Sequence, residues 1–279
     1  MGRLILNADD FGLTAGVNRA IIELHQAGVL TSATLMARAA ATEEAIELAR
    51  STHSLGVGCH VVLVDGEPVL RAHDLPTLVD PRTGRFRPTI GAFLQQFLTR
   101  RIRPSEIEAE AAAQIALLQN RGLRLTHIDT HKHTHMFPAV LRAVLRAARA
   151  AGIRAVRNPF EPKWSLRVTP DAPLLRRTEV SLLRLLEPMF LHIIEEEGFT
   201  ATDGTIGVLA TGTLDTARLT SLLANLPAGT WELVTHPGYN DIDLSQAHTR
   251  LLESREIELQ ALRALKQLQD IDLISFADL

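Results

Sequence analysis

A chain of 279 residues can hold one large domain or two small ones, and α/β barrels commonly occupy this length as a single unit. With 46% apolar and 22% charged residues the composition is that of an ordinary globular protein, and a net charge of −3 excludes a general attraction to nucleic acid. The one cysteine, Cys59, excludes an internal disulfide framework.

The opening MGRLILNADDFG turns polar after too few apolar residues for a signal peptide, and position 6 is Leu where myristoylation needs Ser or Thr. The run MFLHII (189–194) is far shorter than a membrane span. A soluble cytoplasmic protein without a transmembrane segment is expected.

In chain order, RLILNA (3–8) reads as a first strand and VNRAIIELHQAG (17–28), with apolar residues at 3–4 spacing, as a helix. The pattern repeats with SATLMA (32–37) and a helix at 42–50, then LGVGCHVVL (55–63) and a helix at 104–122. LTHIDTH (125–131) precedes a helix at 139–152, and RAVRN (154–158), TWELVTH (230–236) and DLISFA (272–277) complete the strands, with a last helix at 250–269. Strands alternating with helices predict a parallel sheet covered on both faces. With no linker rich in Gly, Ser or Pro, residues 1–279 read as one barrel-like α/β domain. Two stretches, 64–103 and 159–180, break the rhythm as long loops of the kind that shape substrate sites.

In such a barrel the chemistry sits at the C-terminal ends of the strands. Asp9 and Asp10 end the first strand, His60 lies on the third, Arg157 follows the fifth, and His236 ends a late one. The fourth ends in HIDTHKHTH (127–135), four of the chain's 11 histidines within nine residues. His127, Asp129 and His131 share one strand face, and His131, nearest the C-terminal end, is the better metal ligand. His127 and Asp129 are placed deeper, as groups that orient a ligand, while His133 and His135 fall in the following loop and line a pocket. Cys59 points away from His60 and reads as core packing. The isolated His25, His53, His73, His192 and His248 are assigned no function. Paired acids beside a metal suggest that one binds the ion and the other takes a proton from its water, while a histidine opposite protonates a leaving group. That describes metal-assisted hydrolysis of an amide or ester. A metal-dependent phosphoesterase and a catalytically silent sugar- or metal-binding protein are the alternatives.

NADDFG (7–12), HIDTHKHTHMFP (127–138) and HPGY (236–239), in this order, resemble the YdjC/ChbG family of carbohydrate deacetylases from residue 3 to at least 241. HVVLVDGEPVL (60–70), LPTLVD (75–80) and HKHTH (131–135) are most like its hopanoid-biosynthesis-associated branch, HpnK. The resemblance implies a distorted (β/α) TIM-like barrel, one divalent ion (Mg²⁺ or Zn²⁺), and removal of an N-acetyl group from an N-acetylglucosamine-type sugar. That sugar is either a chito-oligosaccharide or a glycolipid headgroup. Carried onto this chain, the metal ligands are Asp10, His60 and His131, the general base Asp9 and the general acid His236. RNPF (157–160), similar to a segment of the NodB-type deacetylases, sets Arg157 beside the base, with Phe160 where Tyr is usual. Asp129, His133, His135, Phe137 and Tyr239 are expected around the substrate.

Two surfaces are left open. GAFLQQFLTRRIR (91–103) is either an interfacial helix giving peripheral membrane contact or an apolar face packed on the barrel. The helix at 250–269 packs on the barrel or on a second subunit of a homodimer.

Overall fold

The structure is a computed structural model and describes residues 2–169, 171–247, 249–265 and 271–279. The strands are β1 (Gly2–Phe11), β2 (Ser32–Leu35), β3 (Gly56–Val61), β4 (Ile128–Thr130), β5 (Gly204–Ile206), β6 (Gly229–Thr235) and β7 (Asp272–Leu273). The helices of the first half are α1 (Ala15–Gln26), α2 (Thr42–Ser51), α3 (Ile90–Leu98), α4 (Pro104–Asn120) and α5 (Pro138–Ala150). Those of the second half are α6 (Lys163–Val168), α7 (Leu174–Leu183), α8 (Glu187–Glu197), α9 (Thr216–Ala224), α10 (Ile242–Gln246) and α11 (Glu253–Arg263).

All strand pairs are parallel, in the order β4-β3-β2-β1-β6-β5, with β7 beside the start of β1. The sheet curls into a half-barrel, and the segment around Val156 crosses the gap between its two ends. There Arg157 N–H donates to the Ile128 carbonyl (3.1 Å), Val156 N–H to Thr200 (2.9 Å) and Thr205 N–H to Phe160 (3.1 Å). The predicted strand RAVRN is therefore only a pair of single bridges, Ile128–Val156 and Ala155–Thr200. Pro159, with no N–H to donate, stops a ladder from extending.

Side chains alternate across β1. Leu4, Leu6 and Ala8 join the large core between sheet and helices, whereas Ile5 faces a small separate cluster with Ala155 and Phe276. Phe276 plugs the N-terminal end of the barrel, and His127 stacks on it with ring centroids 3.7 Å apart. Gly58 makes this possible: a Cβ there would lie 2.5 Å from the His127 ring. Above this apolar floor come Asn7, Asp129, Arg157, Thr205 and Glu232, all buried.

The loop predicted at 64–103 contains α3 and is tied down by one face of α4. Glu106 accepts from Thr77 N–H (2.8 Å) and Leu78 N–H (3.0 Å), Glu110 from Val69 N–H (2.8 Å) and Leu70 N–H (3.0 Å), and Gln114 exchanges bonds with Val62. The four-residue spacing of these side chains puts them in one row. In α3, Phe93 is fully buried and Phe97 lies against Phe93 and Phe137, so its apolar face packs on the barrel. The 159–180 stretch holds α6 and the start of α7. The last helix ends as α11 and buries Arg255, Glu258, Leu259, Ala261 and Leu262, which docks it on the barrel. His248 and residues 266–269 of that predicted helix lie outside the described residues. Among the described residues no helix is long and apolar enough to cross a membrane.

Candidate active site

Adjacent residues of a regular strand face opposite ways, yet Asp9 and Asp10 serve the same site. The register of β1 on β2 shifts between Ala8 and Phe11, and Asp10 takes a left-handed conformation with φ of 63°. This irregularity re-aims one side chain at the strand's C-terminal end.

Three atoms then converge. Asp10 Oδ1 lies 3.5 Å from His60 Nε2 and 3.3 Å from His131 Nδ1, and the two imidazole nitrogens are 3.3 Å apart. Ligands around one ion with bonds near 2.1 Å stand about 3.0–3.4 Å from one another, so the spacing fits a single cation. Asp10 Oδ1 is buried without a hydrogen-bond partner, as a ligand atom awaiting an ion would be. His60 Nδ1–H donates to Asp129 Oδ1 (2.8 Å), which turns Nε2 toward the other two atoms. The residues present therefore fit a divalent metal, with His131, partly exposed, on the open side.

Asp9 sits beside this trio. Arg157 donates to both its oxygens, at 2.9 and 2.6 Å, and Thr34 and Asn7 donate to Oδ1. Burial alone would raise the Asp9 carboxyl, but Arg157, with His60 and His236, outweighs it and holds it well below the usual range. Burial likewise opposes ionisation of Asp10, and Arg255 and His131 reverse that. His236 Nε2 is 3.8 Å from Asp9 Oδ2. Its burial lowers the imidazole to about 4 despite the pull of Asp9 and Asp10, so it rests neutral. For His60 burial also lowers the pKa, but Asp129 and Asp9 raise it to about 9 in the metal-free protein.

Three buried charges escaped the sequence reading. Glu232 accepts from Arg157 at 2.8 and 2.6 Å, and burial pushes it up to about 7 against that guanidinium. The residue stands two and four places before Val234 and His236, so strand alternation was the available signal. Arg255 donates to Asp10 Oδ2, and Glu258 accepts the His236 backbone N–H at 2.6 Å. Both come from α11, whose pattern of mixed charges carried no sign of a site.

The expected substrate-lining set divides. Asp129 is buried, spent on His60 and, at 2.5 Å, on Arg157. His135 is also buried: Nδ1 accepts from the Thr130 hydroxyl (2.7 Å) and Nε2–H donates to the Arg157 carbonyl (3.1 Å). Tyr239 turns outward, its hydroxyl on Glu23 (2.6 Å) and its ring under Arg19. Asp129 and His135 are thus fully buried among protein partners, whereas Tyr239 is half-buried. His133 and Phe137 remain half-buried in the loop after β4, and His133 Nδ1 is unpartnered with its residue at φ of 52°. His127 is fully buried on the barrel floor, deeper than the partly exposed His131.

A cavity of about 920 Å³ opens at the opposite end, near Arg50, Arg124 and Arg154. These arginines lie at or just beyond the C-termini of α2, α4 and α5, where cations offset exposed carbonyls, and no site residue reaches it.

The protein is thus an α/β barrel with carboxylates and imidazoles gathered at the C-terminal strand ends. It belongs to the YdjC-like protein family, which matches residues 3–272. It is 36% identical over 286 residues to a carbohydrate deacetylase of Brevibacillus brevis, covering 99% of each chain. It is 31% identical to a carbohydrate deacetylase of Halalkalibacterium halodurans, covering 98% of this chain and all of that one. A crystal structure from Enterococcus faecalis V583, of a protein named for cellobiose-phosphate cleavage, superposes with a TM-score of 0.79 at 25% identity over 99% of this chain and 98% of that one.

Proposed function

We propose that this protein removes the N-acetyl group from an N-acetylglucosamine-type sugar, with one divalent ion held by Asp10, His60 and His131. The observation that carries the reading is the convergence of their three ligand atoms beside the facing pair Asp9 and His236. The names of the two bacterial relatives support the substrate class. Two imidazole nitrogens with one carboxylate suit Zn²⁺ better than Mg²⁺, which prefers oxygen. When bound, such an ion makes a coordinated water acidic and polarises a carbonyl.

The chain's own residues move the protons. Asp9, kept ionised by Arg157, accepts one from the attacking water at Oδ2. The same oxygen faces His236 Nε2, so the neutral imidazole takes up the proton and delivers it to the departing nitrogen. Glu258 Oε2, 3.9 Å from His236 Nδ1, steadies the imidazolium while it exists. Acetate and the free amine are the products.

A phosphoester fits less well. Arg157 is enclosed by Asp9, Asp129 and Glu232, Arg255 is paired with Asp10 and Lys132 with Asp65, so these cations are already engaged. Silent sugar binding would not need Asp9 opposite His236. Between the two sugars, the likeness to the HpnK branch favours a glycolipid headgroup, whereas the inward packing of α3 favours a soluble chito-oligosaccharide. Acetate release should be measured on both, with chelated protein and after adding back Zn²⁺, Mg²⁺ or Ni²⁺. Metal-restored release on either supports the deacetylase and selects the branch. No release from either with stoichiometric metal bound rejects it.

A further inference from the structure

We propose that Glu232 is a positioning residue, which grips one edge of Arg157 from β6 and so fixes the direction of Asp9 Oδ2. The inference rests on the role of Asp9 as the base proposed above.

The two oxygens of Asp9 are held differently. Oδ1 accepts from Asn7, Thr34 and Arg157 Nη2, whereas among the described residues the one donor to Oδ2 is Arg157 Nη1, at 2.9 Å. Oδ2 is also the oxygen that faces His236, so the proton path runs over the atom with the fewer constraints. Where its lone pairs point therefore depends on how the guanidinium is set.

Arg157 is fully buried and carries its five N–H groups on one rigid plane. The Nη1–Nη2 end binds Asp9, and Nη1 also meets Asp129 Oδ2 at 2.5 Å. The Nε–Nη2 edge bonds Glu232 Oε1, at 2.8 and 2.6 Å. A grip at the end alone would let the plane swing on its long side chain, and a second grip on the neighbouring edge stops that. Glu232 is itself anchored. Its Oε2 lies 3.1 Å from the Thr205 hydroxyl, which also bonds the Asn158 carbonyl (2.7 Å) and so ties β5 to the segment that carries Arg157. Among the described residues Glu232 bonds Arg157 and Thr205 and none of the three proposed metal ligands, so it acts through Arg157.

Charge and reach make opposite predictions. Were Glu232 only a counter-charge, Asp would replace it and Gln would not. A grip requires the reverse, because Gln keeps an oxygen at the same reach while Asp withdraws it by one methylene.

Glu232→Gln should keep kcat within about threefold of wild type, and Glu232→Asp should lower it about 10–100-fold with KM and bound metal unchanged. A second readout needs no substrate. The Arg157 Nε–H, buried and bonded, should exchange slowly by NMR in wild type and in the Gln variant, and at least about 10-fold faster in the Asp variant. An Asp variant as active as wild type, an Asp variant that loses its metal, a Gln variant that falls as far as Asp, or equal exchange in all three would each overturn the proposal. A wild type that releases no acetate would instead remove Asp9 from the role of base, while the exchange rates still decide whether Glu232 holds Arg157.

Discussion

Arg255 Nη2 donates to Asp10 Oδ2 across 245 positions of sequence, while the other oxygen of the same carboxylate faces His60 and His131. A helix on the outside of the barrel thereby fixes which lone pair Asp10 offers to an ion. Arg255→Lys, which keeps the charge but loses the planar fork, should weaken metal binding about 10–100-fold by chelator competition. Unaltered affinity would show that Asp10 is positioned by β1 alone.

Asp9 and His131 should separate chemistry from metal binding. Asp9→Asn is expected to lower acetate release by roughly 10²–10⁴-fold while bound metal stays stoichiometric. His131→Ala is expected to lose the metal itself. Both are read by metal analysis beside a turnover assay, and an Asp9→Asn protein of full activity would remove Asp9 from the role of base.

Gly58→Ala tests the barrel floor. Its Cβ would meet the His127 ring at 2.5 Å, and that ring is pinned between β3 and Phe276. Overpacking of this kind should cost about 1–3 kcal/mol in denaturant unfolding. No measurable loss would mean that the ring has room to shift.

Glu258 makes stability depend on pH. Burial raises it from 4.5 to about 7, so the stability it permits is fully present below pH 4.5 and is lost as pH rises through 7. His236, lowered from 6.5 to about 4, acts oppositely, losing stability as pH falls from 6.5 through 4. Glu258→Gln should therefore gain on the order of 2–3 kcal/mol over wild type at pH 8 and nothing at pH 4, leaving the His236 slope visible between. Thermal melts across that range decide it, and parallel curves for the two proteins would contradict the buried ionisation.

Most of the barrel and its polar end were legible in the sequence because they follow from local periodicity. Period two set Asp129 and His131 on one face of the fourth strand, and in the structure Asp129 meets His60 from the neighbouring β3. β5 escaped notice because it is three residues long, too short for any alternation to register. Glu232 was passed over although it lies in the same alternation as His236, since an acid inside a strand more often faces water.

The sequence by itself determined the parallel α/β order, the strand ends that carry the site, and the residue types able to hold an ion. Only the tertiary structure shows how the adjacent Asp9 and Asp10 come to face the same way, through a left-handed residue at a register shift. Only it shows that His135 is bonded to Thr130 and the Arg157 carbonyl, and that Arg255 and Glu258 of α11 reach the centre. Periodicity shows which way a side chain points, but its role depends on which partners close around it, and those partners lie up to 245 positions away along the chain.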